Sequence, residues 1–97
     1  MKYNFEWDRQ KEISNFRKHK IAFEIAASIF LDPHALTIFD NEHSGSEDRW
    51  VSIGIAGNKN ILVVVHTFEI IDEASAVIRI ISARKATTNE IKNYQGN

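Results

Sequence analysis

The stretch Ile61-Leu62-Val63-Val64-Val65-His66-Thr67-Phe68 decides the fold class. Its valines and isoleucine are β-branched, and branched side chains pack well on a pleated strand but lose rotamer freedom in a helix. Just upstream, Gly57-Asn58-Lys59-Asn60 reads as a hairpin connection. Before it, Arg49–Ala56 alternates, with Val51, Ile53 and Ile55 on one face and Trp50, Ser52 and Gly54 on the other. Ala76–Ala83 is another strand, and His34–Phe39 a short one beyond the polar loop Asn41–Asp48 with its Gly45. The second half of the chain therefore reads as an antiparallel meander.

Toward the N-terminus the period changes. Asp8 can cap a helix over about 9–19, because its carboxylate accepts orphan backbone N–H groups, and Ile13 and Phe16 share one face of it. Residues 21–31 read as a second helix with an apolar stripe of Ile25, Ala26, Ile29 and Phe30, stopped by Pro33. At the other end, Thr87 and Glu90 have the spacing of a capping box, and Ile91 and Tyr94 give the following helix an apolar side. Two N-terminal helices, an antiparallel sheet of about four strands and a C-terminal helix predict an α+β fold. The 97 residues make one domain, spanning 1–97.

Composition narrows the function classes. There is no cysteine, hence no disulfide, thiolate nucleophile or cysteine-based zinc site. The Ile61–Val65 run is far shorter than the roughly 20 residues of a membrane span, and Glu6 and Asp8 interrupt any leader, so the chain reads as a soluble cytoplasmic domain with no membrane partner. The net charge of −1 hides a division into basic ends and an acidic middle. If the ends fold together they form a basic face that favours a polyanion such as RNA, although such patches are also ordinary surface charge.

Three clusters carry chemistry. Arg79 lies in the apolar run Val77-Ile78-Arg79-Ile80-Ile81, and Arg84-Lys85 precede the capped helix. A guanidinium in such a run needs a carboxylate or an anionic ligand: it is either paired with Glu47, Asp48 or Glu69, or a phosphate clamp. His66 shares a strand face with Leu62, Val64 and Phe68; it is a satisfied core residue or a proton shuttle. The loop His43-Ser44-Gly45-Ser46-Glu47-Asp48-Arg49 holds proton-transfer groups and a cation, in a composition that any polar loop shares. Asp40, Glu42 and His43 are metal-capable types, but no spacing fixes a ligand geometry, so neither metal nor cofactor is expected. His19, in Arg17-Lys18-His19-Lys20, reads as a solvated helix end, and there is no Gly-rich phosphate loop or nucleophile elbow.

The chain resembles the BrnT toxins of bacterial type II toxin–antitoxin systems. The matching segments run from Phe5-Glu6-Trp7-Asp8 through Lys11, Asn15, Lys18-His19, Phe23-Glu24, Ala26-Ala27, Phe30, Asp32-Pro33, His43-Ser44, Glu47 and Arg49. The most specific are Val63–Thr67 and Arg79-Ile80-Ile81-Ser82-Ala83-Arg84-Lys85-Ala86, followed by Glu90 and Tyr94. The resemblance implies a RelE-like fold and a ribonuclease that cuts RNA and halts translation. It implies a BrnA-like antitoxin that covers the toxin, a two-toxin, two-antitoxin assembly, and operator DNA bound only through the antitoxin.

The chain departs from the family pattern at Lys20, where a Gly usually follows Lys-His, at Ala22, where a Ser-like cap is common, and in the long segment Phe68–Ala76. Its pI of about 6.4 is also low for an RNA-cutting toxin. Cations and proton-transfer groups suit metal-independent attack of the RNA 2′-hydroxyl on the adjacent phosphorus. Arg79 and Arg84 would stabilise charge, Lys85 would clamp the backbone, and Arg49 and His43 would support RNA binding. Glu47 and His66 would be base and acid in either order. The alternative is a non-catalytic protein-binding module, or a decayed toxin acting only in a repressor complex. Convergence of Arg79, Arg84 and Glu47 on one cleft favours the enzyme; pairing off as salt bridges favours the module.

Overall fold

The computed structural model describes residues 1–96. The chain opens with a strand, β1 (Lys2–Trp7), before helix α1 (Arg9–His19). Asp8 Oδ1 accepts the Lys11 N–H at 3.1 Å, and Arg17, Lys18 and His19 sit at the carbonyl end of the helix, where positive charge is favourable. The helix ends at Lys20, which takes the left-handed backbone (φ 60°, ψ 29°) that closes a helix most cheaply with glycine. The departure at Lys20 therefore leaves the helix end where the sequence places it, with a strained residue at the cap.

The second helix is shorter than its apolar stripe. Helix α2 covers Phe23–Ala27 and tightens into a 3₁₀ turn over Ser28–Leu31 before Pro33. Its N-cap, Ala22, supplies no side-chain hydrogen bond. Strands β2 (Leu36–Phe39), β3 (Trp50–Ile55), β4 (Ile61–His66), β5 (Glu69–Asp72) and β6 (Ser75–Lys85) follow, then α3 (Thr88–Tyr94) under the Thr87/Glu90 capping box.

The sheet corrects two expectations. Among the described residues it has six strands rather than about four, and it is mixed rather than antiparallel. The order is β1-β6-β4-β3-β2, with β5 also paired to β6. β1 runs parallel to β6, from Lys2 opposite Ser75 to Trp7 opposite Ile80, and all the other pairings are antiparallel. The N-terminal strand alternates Tyr3, Phe5 and Trp7 against Lys2, Asn4 and Glu6, a period of two that the helix cap at Asp8 masks in a reading begun from helices. β5 occupies the long segment after Phe68, in line with β4 beyond a bulge.

Helices α1 and α2 and the 3₁₀ turn pack on one sheet face around Phe23, Ala26, Ile29, Leu62, Val64, Ile78 and Ile80, while α3 lies by the other face, where Glu90 and Asn93 line a cleft with Val51, Ile53 and Val63. β3 turns its small face, Ser52 and Gly54, into this core. A Cβ on Gly54 would come within 3.2 Å of the Ile29 and Ala35 side chains, so glycine permits that approach. Among the described residues no helix is long and apolar enough to cross a membrane.

Candidate active site

The site is built on the face of β6 that turns away from the core. Side chains alternate along a strand; Ile78 and Ile80 point into the core, and Arg79 points to the opposite face. The loop between β2 and β3 folds over that face. Its mouth is closed by the Asp40 N–H on the Arg49 carbonyl (2.9 Å), and the Ser44 hydroxyl accepts the Arg49 N–H (2.9 Å). This closure sets Glu47 against Arg79, with an ion pair between Nη2 and Oε1. The same Oε1 lies 3.9 Å from Arg49 Nη2. One carboxylate thus sits between two guanidinium groups. The buried Nε of Arg49 has no hydrogen-bond partner among the described residues.

These three side chains line a cavity of about 180 Å³ together with Asp8, Lys11, Ile80 and Ile81. Three cations against two carboxylates leave it net positive, and Asp8 is already engaged in capping α1. A small anion with a proton to lose meets a base candidate and charge stabilisers within one cavity. Neither charge nor spacing singles out Lys11; its place one turn inside a capped helix is what carries it here.

A model of the BrnT ribonuclease toxin of type II toxin–antitoxin systems matches residues 7–90. The chain belongs to the BrnT family. The crystal structure of the Brucella abortus ribonuclease toxin, BrnT, matches with a TM-score of 0.60, covering 91% of this chain and 100% of that one at 20% identity. At that identity the likeness shows a shared fold. No curated protein gives a significant match.

The remaining sequence-predicted residues of this BrnT-family chain lie elsewhere. Arg84 holds Glu90 through two hydrogen bonds of 2.8 and 2.9 Å, tying α3 to the sheet. This pairing raises the Arg84 pKa and pulls Glu90 down to about 2. Lys85 is exposed at the end of β6. His43 Nδ1 sits 3.0 Å from Asp40 inside the loop.

His66 is 2% exposed and faces the core, away from Arg79. Its Nδ1 lies 3.0 Å from the Thr67 carbonyl, which can only accept, so Nδ1 carries the proton. Nε2 then accepts from the Ser52 hydroxyl at 2.7 Å, and Ser52 in turn accepts from Thr37 at 2.6 Å. Burial lowers the His66 pKa, partly offset by the bond to Thr67, so the ring is held neutral within a satisfied chain. Neither Ser52 nor Thr37 carries a motif, and only the register that sets Ser52 beside Val64 and Trp50 beside His66 reveals the chain.

Proposed function

We propose that this chain is a metal-independent endoribonuclease toxin whose reaction runs in the Glu47–Arg79–Arg49 cavity. The observation that carries the reading is the Glu47 carboxylate set between two guanidinium groups in a chain of the BrnT family. An RNA phosphate entering the cavity replaces Glu47 as the partner of Arg79 and leaves that carboxylate free to take the 2′-hydroxyl proton. The 2′-oxygen bonds to phosphorus, the bond to the 5′-oxygen breaks, and that oxygen takes a proton from the Lys11 ammonium. The products are a 2′,3′-cyclic phosphate and a 5′-hydroxyl. Arg79 and Arg49 stabilise the added negative charge of the transition state, a term worth on the order of 3–4 kcal/mol per donor at comparable sites.

Lys85 and His43 are assigned to the RNA backbone outside the cavity. Arg84 acts by holding α3 against the sheet, and His66 by holding the end of β4. A BrnA-like antitoxin covers this face in a two-toxin, two-antitoxin assembly within the cytoplasm, and operator DNA is reached only through the antitoxin.

The test is cleavage of an unstructured RNA in excess chelator by the wild type, Glu47→Gln and Arg79→Ala. The expected result is a cyclic-phosphate product, reduced about 10²–10⁴-fold in Glu47→Gln and on the order of 10²–10³-fold in Arg79→Ala. One observation favours the second reading, a non-catalytic protein-binding module: Arg79 and Arg84 both pair off with carboxylates. Equal activity in all three proteins would place the reaction outside this cavity, and no activity in any of them, even on translating ribosomes, decides for that module.

A further inference from the structure

A second cavity lies on the core-side face, at an open corner beside Phe30. It holds about 340 Å³ and is walled by Tyr3, Phe30, Trp50, Phe68 and Ile78, with Thr37 and His66 as its polar groups. Its rings already meet edge to face: Tyr3 with Phe68 at 6.2 Å and Phe30 with His66 at 4.9 Å. The hydroxyl-imidazole chain behind it is internally satisfied and leaves little polar demand for a ligand. The cavity wants apolar bulk.

Its surroundings say what delivers that bulk. β5 has β6 as its only sheet partner, so its other edge is unpaired among the described residues. Ile70 is 64% exposed and Ile71 54% exposed on this strand. An unpaired edge bearing exposed isoleucines is a template for an added strand. Phe68 lines both the aromatic cavity and a neighbouring cleft of about 350 Å³ whose lining includes Glu6, Glu47, Asp48 and Glu69 against a single cation, Arg79. Four carboxylates repel a nucleic acid strand and attract lysine or arginine.

We infer that the β5 edge, the aromatic cavity and the acidic cleft form one docking surface for an extended, basic segment of a partner protein. The segment adds a strand to β5, seats an aromatic or aliphatic anchor between Tyr3, Trp50 and Phe68, and places a neighbouring lysine or arginine on Asp48 and Glu69. That cation would lie beside the Glu47–Arg79 pair, so the docked segment would close the acidic approach to the site. The inference deepens the antitoxin pairing proposed above and rests on it, but not on the ribonuclease activity.

The probe is a fluorescent peptide of alternating lysine and phenylalanine, set against a glutamate–phenylalanine peptide and a single-stranded RNA of similar length. Binding is followed by anisotropy and by amide shifts in the protein. The basic peptide is expected to bind, to shift the amides of Glu69–Asp72, and to lose at least tenfold in affinity in Phe68→Ala and in the Asp48→Lys/Glu69→Lys double variant. RNA cleavage should persist in both variants, which separates a failed docking surface from a failed ribonuclease. The inference is overturned by equal binding of the acidic peptide, by basic-peptide binding unchanged in both variants, or by RNA binding that Phe68→Ala abolishes. Self-association of the free chain through β5, lost in Phe68→Ala, would also overturn it by making the occupant a second copy.

Discussion

Tyr94, in the last turn of α3, donates its hydroxyl proton to the carboxylate of Asp32, 62 residues earlier in the chain. The same carboxylate accepts the backbone N–H of Ile55 (2.8 Å) and of His34 (2.9 Å). One side chain therefore joins α3, the end of β3 and the turn after the first two helices. Burial pushes the Asp32 pKa up, but the bonds from Ile55, Tyr94 and His34 outweigh it and leave the group below its usual value. The bond to Asp32, aided by burial, raises the Tyr94 pKa.

Removing only the Tyr94 hydroxyl should cost about 1 kcal/mol, the net worth of a typical hydrogen bond. Asp32→Ala should cost more, roughly 2–3 kcal/mol, because it also strands the Ile55 N–H. Urea unfolding of Tyr94→Phe and Asp32→Ala tests the order. Equal losses would mean that the helix contact, and not the strand contact, carries the effect.

Asn15 is the other long tie. It is 7% exposed, and its amide mimics a neighbouring strand where β1 stops. Oδ1 accepts the Ala83 N–H at 3.0 Å, while Nδ2 donates to the Ala83 carbonyl at 2.9 Å and to the Ile21 carbonyl at 3.3 Å. Asn15→Ala should destabilise by about 2–4 kcal/mol, since it orphans a buried N–H and buried carbonyls together. Asn15→Asp keeps the acceptor but turns a carboxylate oxygen toward two carbonyls, so it should rescue little. Hydrogen exchange at the Ala83 amide should quicken in both variants.

Much of this architecture is legible in the chain and part of it is not. The α1 cap, the Pro33 stop, the β3–β4 hairpin and the α3 capping box follow from local chemistry, and each sits within a few residues of its expected place. β1 and β5 escape a local reading because their sense is tertiary: β1 pairs with a strand some seventy residues later, and a parallel pair leaves no hairpin turn to read. At the site, the Arg79–Glu47 contact follows from the need to pair a guanidinium in an apolar strand, and Glu47 is one of the carboxylates the sequence offers it. Arg84 and His66 look equally reactive in sequence. What separates them from Arg79 is position: Arg84 faces Glu90 of α3 and His66 lies on the inward face of β4, and neither lines the cavity that Arg79 does.

The strained cap at Lys20 predicts a difference between two small residues. An L-residue with a left-handed backbone carries a penalty of about 1–2 kcal/mol that glycine escapes. Both Lys20→Gly and Lys20→Ala lose the ammonium contact 5.9 Å above the Phe16 ring, so their difference isolates the backbone. The glycine variant should be more stable than the alanine variant by about 1 kcal/mol, after allowing for the greater entropy of an unfolded glycine. Thermal unfolding of the pair measures it, and alanine at or above glycine would show that the cap is not strained.

The Arg84–Glu90 pair makes a prediction in pH. Glu90 falls from an ordinary value of 4.5 to about 2, through the hydrogen bonds from Arg84 first, with the Thr87 backbone bond adding and burial opposing. A carboxyl whose folded pKa is depressed binds its proton more readily in the unfolded chain. Its stabilisation is therefore complete above about pH 4.5 and is lost as pH falls toward 2. Because both side chains are partly solvated, the contribution is on the order of 1 kcal/mol and not the full value of the shift. The stability gap between the wild type and Glu90→Gln should be constant from pH 7 to 5 and should close between about 4.5 and 2. Glutamine can still accept the Thr87 N–H, so the capping box survives and the closing gap reports the ion pair. If the ion pair is what holds α3, protection of the α3 amides from exchange should fall over the same window, while protection in β4 does not change with it.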